Sequence, residues 1–263
     1  MKPEAVCRIC THEVVYFSNA DILKKYRIDY FKCGYCGFVQ TENPFWLKEA
    51  YSNPIVECDI GPVNRAVVNS KITRALILCL LKAHANFVDY GAGYGLFVRM
   101  MRDHGFNFKY HDKYCENIFA KKFEIELAGR FELVTAFEVF EHLENPVETL
   151  NGMLNISDNI FISTELIPSD CPKPTEWWYY ALDGGQHISF FTSRALSILA
   201  ERFNLRLYSD GFYHFFCKSK IPVALYRIIV SDRMPGVALN ALAKYRRVSS
   251  LLQNDFQNLL KAR

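Results

Sequence analysis

The sequence lacks any apolar run long enough to cross a bilayer: its best stretch, "ALILCLL" at 75–81, meets Lys82 at once. The opening "MKPEAVCRIC" lacks the basic-then-apolar pattern of a signal peptide, so a cytoplasmic location is expected. There is little excess of either charge, +3 overall, and hence no compositional reason to expect a nucleic-acid partner. Internal repeats and low-complexity tracts are also missing, which excludes solenoids and disordered arrays. What is there, 50% hydrophobic and 22% charged residues over 263 positions, is enough to bury a substantial core.

The cysteines are not scarce. Nine of them, an odd number without a secretory signal, argue against a disulfide framework and for thiols or metal. Four form two C-x2-C pairs, "CRIC" (Cys7, Cys10) and "CGYC" (Cys33, Cys36). A two-residue gap lets a tight turn aim both thiolates at one ion, and four thiolates fill the tetrahedron that zinc prefers. Gly34 and Gly37 suit such a turn in the second pair. The expectation is a zinc ribbon with a structural ion, because no coordination position is left for a catalytic water. His12 is read as a surface residue, not a ligand.

Beyond this module lies a connector, "FVQTENPFWLKEAYSNPI", with a short helical pattern over 46–51, and then the helix-permissive stretch 64–81. Short apolar runs thereafter alternate with amphipathic patterns. The strand-like runs are "NFVDYG", "FKYHD", "ELVTAFEVF", "NIFISTEL" and "LRLYSDGFYHFFCKS"; the helical ones between them are "LFVRMMRDHG", "PVETLNGMLN" and "SRALSILAERFN". That alternation specifies an α/β fold, a Rossmann-like doubly wound and mostly parallel sheet. Three regions are expected: 1–60, zinc module and connector; 61–220, the ligand-binding α/β domain; 221–263, a helical extension.

The first strand-to-helix turn of such a sheet is the usual ligand contact, and "DYGAGYG" falls there. Gly91, Gly93 and Gly95 are spaced G-x-G-x-G, short of the dinucleotide fingerprint G-x-G-x-x-G, and no lysine follows to make a P-loop. With Asp89 at the strand end the turn suits a ligand carrying positive groups. S-adenosylmethionine, with a sulfonium, an amino group and no phosphate, meets that description. Asp112 in "KYHDKYC", twenty-one residues after Gly91, stands where a carboxylate accepts ribose hydroxyls.

Taken together, residues 64–218 resemble the class I S-adenosylmethionine-dependent methyltransferases. The resemblance rests on the glycine loop, the ribose aspartate and "LVTAFEVFEHLENPVETL". It implies that Asp89, Gly91, Gly93 and Gly95 hold the methionine end, Asp112 the ribose, and Phe137 and Glu138 the inner wall of the cofactor site. His142 is implied at the reaction centre. With "CRIC", "YFKCGYCGFVQTENPFWLKEAYS" and "GGQHISFFT", nearly the whole chain is similar to bacterial sugar-modifying methyltransferases of deoxysugar and capsule or surface-polysaccharide pathways that carry an N-terminal zinc module. The larger C-methylating members have a further C-terminal domain, and its absence here favours O-methylation. An RNA methyltransferase with a zinc module and a non-catalytic binding protein are the other classes. "AFEV" stands where a base methylase has an Asn-Pro-Pro-Tyr-like tetrapeptide, and nucleic acid is disfavoured.

O-methylation needs a base for the acceptor proton, and a histidine near neutral pKa suits it. His142 and His187 are both candidates, His142 first, with Glu141 either orienting an imidazole or capping a helix. The aromatic stretch "TEWWYYALDGG" serves either as a substrate lid that stacks on a sugar or as packing against the zinc module. Glu165 reaches an acceptor hydroxyl or lies on a solvated rim. The basic C-terminal stretch 221–263 reads as packing helices with a solvated face; as a functional surface it suits an anionic partner or a second copy of the chain, a homodimer.

Overall fold

The computed structural model describes residues 6–52 and 59–261. Its strands form two sheets. The smaller begins with β1 (Val14–Ile22) and β2 (Tyr26–Cys33), an antiparallel hairpin with a bulge between Tyr16 and Ser18. Leu23 and Lys24 turn the hairpin with φ of 52° and 54°, and the Lys25 N–H donates to the Ile22 carbonyl at 2.9 Å. Three residues, Leu23, Lys24 and Lys25, separate the paired Ile22 and Tyr26, and the first two take the left-handed backbone that asparagine and glycine normally supply in hairpin turns. With Leu-Lys in their place the hairpin leaves no turn signal in the sequence, and neither strand was expected.

The chain continues through β3 (Val39–Thr41), α1 (Leu47–Ala50), α2 (Pro62–Leu80), β4 (Asn86–Tyr90), α3 (Leu96–Asp103), β5 (Asn107–His111) and β6 (Leu133–Phe137). There follow a 3-10 turn at Phe140–His142, α4 (Pro146–Leu154), β7 (Asn159–Ser163), a second 3-10 turn at Trp178–Tyr180 and β8 (Ser189–Phe190). The remainder is α5 (Ser193–Arg202), β9 (Arg206–Ser209), β10 (Tyr213–Cys217), α6 (Val223–Val230), α7 (Gly236–Tyr245) and α8 (Leu252–Lys261). No helix among the described residues is long and apolar enough to cross a membrane.

The strand orders are β1-β2-β3-β8 and β5-β4-β6-β7-β10-β9. In the larger sheet β4 pairs in parallel with both β5 and β6, and β10 pairs antiparallel with β9. The chain leaves β4 for β5 on one side and returns to β6 on the other. The carboxyl end of β4 is therefore a topological switch point, where open α/β sheets bind ligands.

The molecule divides into two compact units interleaved along the chain: Met1–Val56, Glu138–Met153 and Ile162–Lys218 form one; Glu57–Phe137, Leu154–Phe161 and Ser219–Arg263 form the other. In the first unit a core of Ile22, Ile28, Tyr30, Val39, Trp46, Tyr179, Tyr180, Ile188 and Phe190 is shared by β1, β2, β3 and the segment around β8. Its cysteine-bearing strands are thus completed by chain from beyond residue 160. Tyr180 meets Tyr30 edge-on at 5.4 Å and Phe190 at 4.3 Å. Of the aromatic side chains in that stretch only Trp178 is largely exposed, at 76%, whereas Tyr179 and Tyr180 are core residues.

In the second unit α2 buries residues around most of its circumference and packs on α3, α6 and α7. The C-terminal helices are tied down by specific polar contacts. Arg246 donates to the Leu78 and Leu81 carbonyls, both at 2.7 Å, satisfying acceptors left open at the end of α2. Asp255 of α8 accepts from Arg102 Nε at 2.8 Å and Nη2 at 2.6 Å. The same guanidinium donates to Asn107 and to the Phe108 carbonyl, and so joins α3, β5 and α8.

Candidate active site

The second unit carries the glycine loop at the end of β4. Gly91, Gly93 and Gly95 all have positive φ, 73°, 54° and 82°, a region that side chains enter at a cost. At Gly95 space is decisive as well: a Cβ there would lie 2.6 Å from Asn117 Oδ1 and 3.0 Å from the Ala120 Cβ. The loop is pinned to β5 by its backbone, with the Gly91 and Ala92 N–H groups donating to the His111 carbonyl at 2.9 and 3.2 Å.

Asp112 completes the fastening. One carboxylate oxygen accepts the Gly93 N–H at 2.8 Å, and the other accepts those of Tyr114 at 2.7 Å and Cys115 at 2.8 Å. A carboxylate has about four lone-pair directions, so acceptor capacity remains for a ligand hydroxyl. Tyr110 adds a brace that the sequence reading missed, donating its hydroxyl toward the Gly93 and Cys115 carbonyls, both at 2.9 Å. A strand tyrosine reads as core, and nothing in the local pattern marks it otherwise.

Asp89 is 4% exposed and accepts a 2.6 Å hydrogen bond from the Thr135 hydroxyl of β6. Burial pushes its carboxyl up to about 8, further raised by the Asp112 charge and drawn back by Thr135. A cationic ligand group would restore its ionisation. Phe137, at the end of β6, lies edge-on to Phe97 at 5.2 Å and to Phe161 at 5.5 Å, forming an aromatic wall.

The first unit holds the residues that follow in sequence. Glu138 has φ of 53°, a strained left-handed conformation for a non-glycine residue. Its carboxylate accepts from the Ser163 hydroxyl at 2.7 Å, and its N–H donates to Ser163 Oγ at 3.0 Å. The turn that follows brings Glu141 inward until it is fully buried. Neither carboxylate oxygen of Glu141 has a hydrogen-bond partner. Burial raises its pKa well above the usual range, with Glu138 adding to the effect; the Thr164 and Tyr179 hydroxyls pull it back without completing a bond to either oxygen.

His142 and His187, separated by β7 and the aromatic stretch, meet edge to face with ring centroids 4.7 Å apart. His187 Nδ1 lies 2.6 Å from the Tyr179 carbonyl, so Nδ1 carries a proton there. His142 Nδ1 has no partner, while a hydrogen bond to the Gln186 backbone occupies its other nitrogen. Burial, and secondarily the neighbouring His187, hold the His142 pKa well below 6.5, so it is a neutral imidazole. One nitrogen or oxygen from each of Glu141, His142 and His187 falls within 4.8 Å of the others. Glu165, expected near an acceptor, is half-buried, and its N–H donates to the Tyr179 hydroxyl at 3.0 Å.

The four cysteines also converge in this unit. Their sulfurs lie within 4.8 Å of one another, with Cys7–Cys36 and Cys10–Cys33 each at 3.5 Å. Sulfurs around a tetrahedral zinc stand roughly 3.8 Å apart, so the donor set and its spacing fit that ion. The Cys36 thiol draws the Cys7 pKa down to about 5 while its own is pushed up. The Ile9 and Cys36 N–H groups approach Cys7 and Cys33 Sγ at 3.5 Å. His12 stands outside the cluster, stacked on Tyr35 at 4.0 Å.

A family model described as "Methyltransferase domain" matches residues 64–210. No curated protein matches the sequence. Among solved structures, the plantazolicin methyltransferase in complex with SAH is 12% identical, over 76% of this chain and 84% of that one, with a TM-score of 0.48. Magnesium protoporphyrin IX methyltransferase from Synechocystis PCC 6803 with bound SAH is 12% identical over 65% and 90%, at 0.44. Human N-acetylserotonin methyltransferase in complex with SAM is 13% identical at 0.42; the alignment covers 58% of this chain and 52% of the human one.

Proposed function

The chain belongs to the methyltransferase-domain family and is an S-adenosylmethionine-dependent methyltransferase; from that premise we propose that it O-methylates a sugar, as a sugar nucleotide or a surface-polysaccharide unit. The supporting observation is the Glu141, His142 and His187 cluster: a buried carboxylate without partners beside an imidazole with a nitrogen to spare. Such a group is suited to hold a polar acceptor and take its proton, chemistry that an apolar substrate does not need.

On this reading the glycine loop and Asp89 hold the methionine end of the cofactor, and Asp112 accepts the ribose hydroxyls. Phe137 and Glu138 form the inner wall. Methyl transfer is an in-line displacement: the acceptor O–H is broken as the O–CH3 bond forms, and the electron pair of the departing S–CH3 bond stays on sulfur, giving neutral S-adenosylhomocysteine. Alignment of the two centres supplies much of the rate, and proton removal about 10²–10⁴ more. The exposed indole face of Trp178 suits a sugar ring.

The cysteines hold a structural zinc ion in this proposal. Four thiolates close the coordination sphere, so the ion organises β1, β2 and their surroundings without chemistry of its own. The test is S-adenosylhomocysteine release from purified protein given S-adenosylmethionine with a pool of nucleotide-linked sugars, or with unmodified RNA. Release with sugars and not with RNA is expected; release with RNA alone overturns the sugar assignment.

A further inference from the structure

We propose that Glu141, His142 and His187 form a second metal site, one that takes a divalent first-row cation of the Mn2+ or Zn2+ class and offers open positions to the acceptor hydroxyl. The inference deepens the O-methyltransferase reading and rests on it.

Three observations lead to it. The first is geometric: one ligand atom from each of the three side chains lies within 4.8 Å of the others. Ligands at 2.0–2.2 Å from a cation stand roughly 3–4.4 Å apart, so small rotations bring all three onto one ion.

The second is the state of the donors. Both Glu141 oxygens and His142 Nδ1 are buried without partners, and Glu141 is itself 0% exposed. A buried carboxylate left unbonded is costly, and a cation is the partner that would satisfy both oxygens and the imidazole at once. Among the described residues no arginine or lysine is paired with Glu141.

The third lies around the histidines. His187 donates Nδ1–H to the Tyr179 carbonyl at 2.6 Å, and His142 bonds the Gln186 backbone through the nitrogen opposite Nδ1. A carbonyl behind each ring orients it through the nitrogen that carries the proton, which is how ligating histidines are ordinarily held. Glu138, close enough in charge to perturb Glu141, adds negative potential.

The donor set also separates this site from the cysteines. Four thiolates close a structural site, whereas two imidazoles and a carboxylate leave positions vacant, as catalytic centres do. With the imidazole lone pairs on the ion, the cation takes over from the imidazole as the group that activates the acceptor, and a hydroxyl bound there would lose its proton to water more readily. The resulting alkoxide takes the methyl from the sulfonium, whose electron pair remains on sulfur. No redox partner is required.

The experiment titrates Mn2+ into full-length, zinc-replete protein, read by electron paramagnetic resonance. Manganese prefers nitrogen and oxygen donors and leaves thiolate-bound zinc in place. The expected result is about one Mn2+ per chain, weakened about tenfold or more in Glu141→Gln and in His187→Ala, with zinc content and circular dichroism unchanged. Co2+ gives a second readout, because binding at this site adds d–d bands without thiolate charge transfer. No Mn2+ or Co2+ bound beyond the cysteine ion, or equal binding by wild type and folded variants, overturns the site. S-adenosylhomocysteine affinity measured on the same samples separates the two levels: cofactor binding without Mn2+ removes only the cation site, and Mn2+ without cofactor binding keeps the site but removes the reading beneath it.

Discussion

The Asp112 carboxylate accepts the Gly93 N–H at 2.8 Å, so the aspartate after β5 and the central glycine of the loop after β4 are one structural device. A residue singled out for a ligand is also what holds the loop in a ligand-ready shape. Asp112→Ala is accordingly expected to weaken S-adenosylhomocysteine binding about tenfold or more, and to lower stability by about 1–3 kcal/mol through the three N–H groups it strands. Calorimetric titration and denaturant melts check both; unchanged affinity removes Asp112 from the cofactor site.

His142→Ala and His187→Ala are each expected to reduce turnover about 100-fold while leaving cofactor affinity within about twofold. Single-turnover kinetics on the preferred acceptor make the comparison. Full activity in His142→Ala would transfer the acceptor-side role to His187 alone.

His214 gives a pH dependence of known sign. Its Nε2 donates to the Thr164 carbonyl at 3.0 Å, and Nδ1 accepts from the Ser209 hydroxyl at 2.8 Å, a pattern only the neutral ring can make. Burial lowers its pKa to about 4, against 6.5 when unfolded. Because the folded value is depressed, the contribution to stability is intact above pH 6.5 and is lost as pH falls toward 4, about 3 kcal/mol in all. Urea melts at pH 7 and pH 4.5 should show a smaller acid loss in His214→Gln than in wild type; equal losses would reject the assignment.

On the proposal that the four cysteines hold zinc, removing the ion should loosen the first unit before the second. The Thr192 hydroxyl donates to the Cys36 carbonyl at 2.6 Å and accepts from Ala195 N at 3.1 Å, so the cysteine turn and the start of α5 share a cap. Chelation is expected to raise hydrogen exchange in β1, β2 and the first turn of α5. Thr192→Ala is expected to cost about 1–2 kcal/mol with the metal retained. Uniform exchange across both units would count against a local structural role.

Asp255→Ala leaves the 5% exposed Arg102 without its carboxylate. The expected cost is about 3–5 kcal/mol, that of an uncompensated buried charge. A melting temperature equal to wild type would mean that α8 does not anchor α3.

Several features were legible because they are local. C-x2-C pairs, a glycine turn after an apolar strand and strands alternating with helices each depend on neighbouring residues and backbone sterics. The β1–β2 hairpin was not legible, because Leu23 and Lys24 adopt a turn that their side chains do not advertise. The roles of "TEWWYYALDGG" were also undecided locally: burial against Tyr30 and Phe190 placed Tyr179 and Tyr180 in the core and left Trp178 outside.

From its sequence alone the chain determined an α/β fold with a strand-end glycine loop, a nearby aspartate and a four-thiol donor set, because short-range geometry carries those patterns. Only the tertiary structure decided that residues from beyond β7 complete the cysteine-bearing sheet, that an acid in α8 locks α3, and that Glu141 and His142 meet His187 around unpartnered buried atoms. Such encounters depend on how distant segments pack and which polar groups they exclude from water, and neither quantity resides in any short window of residues.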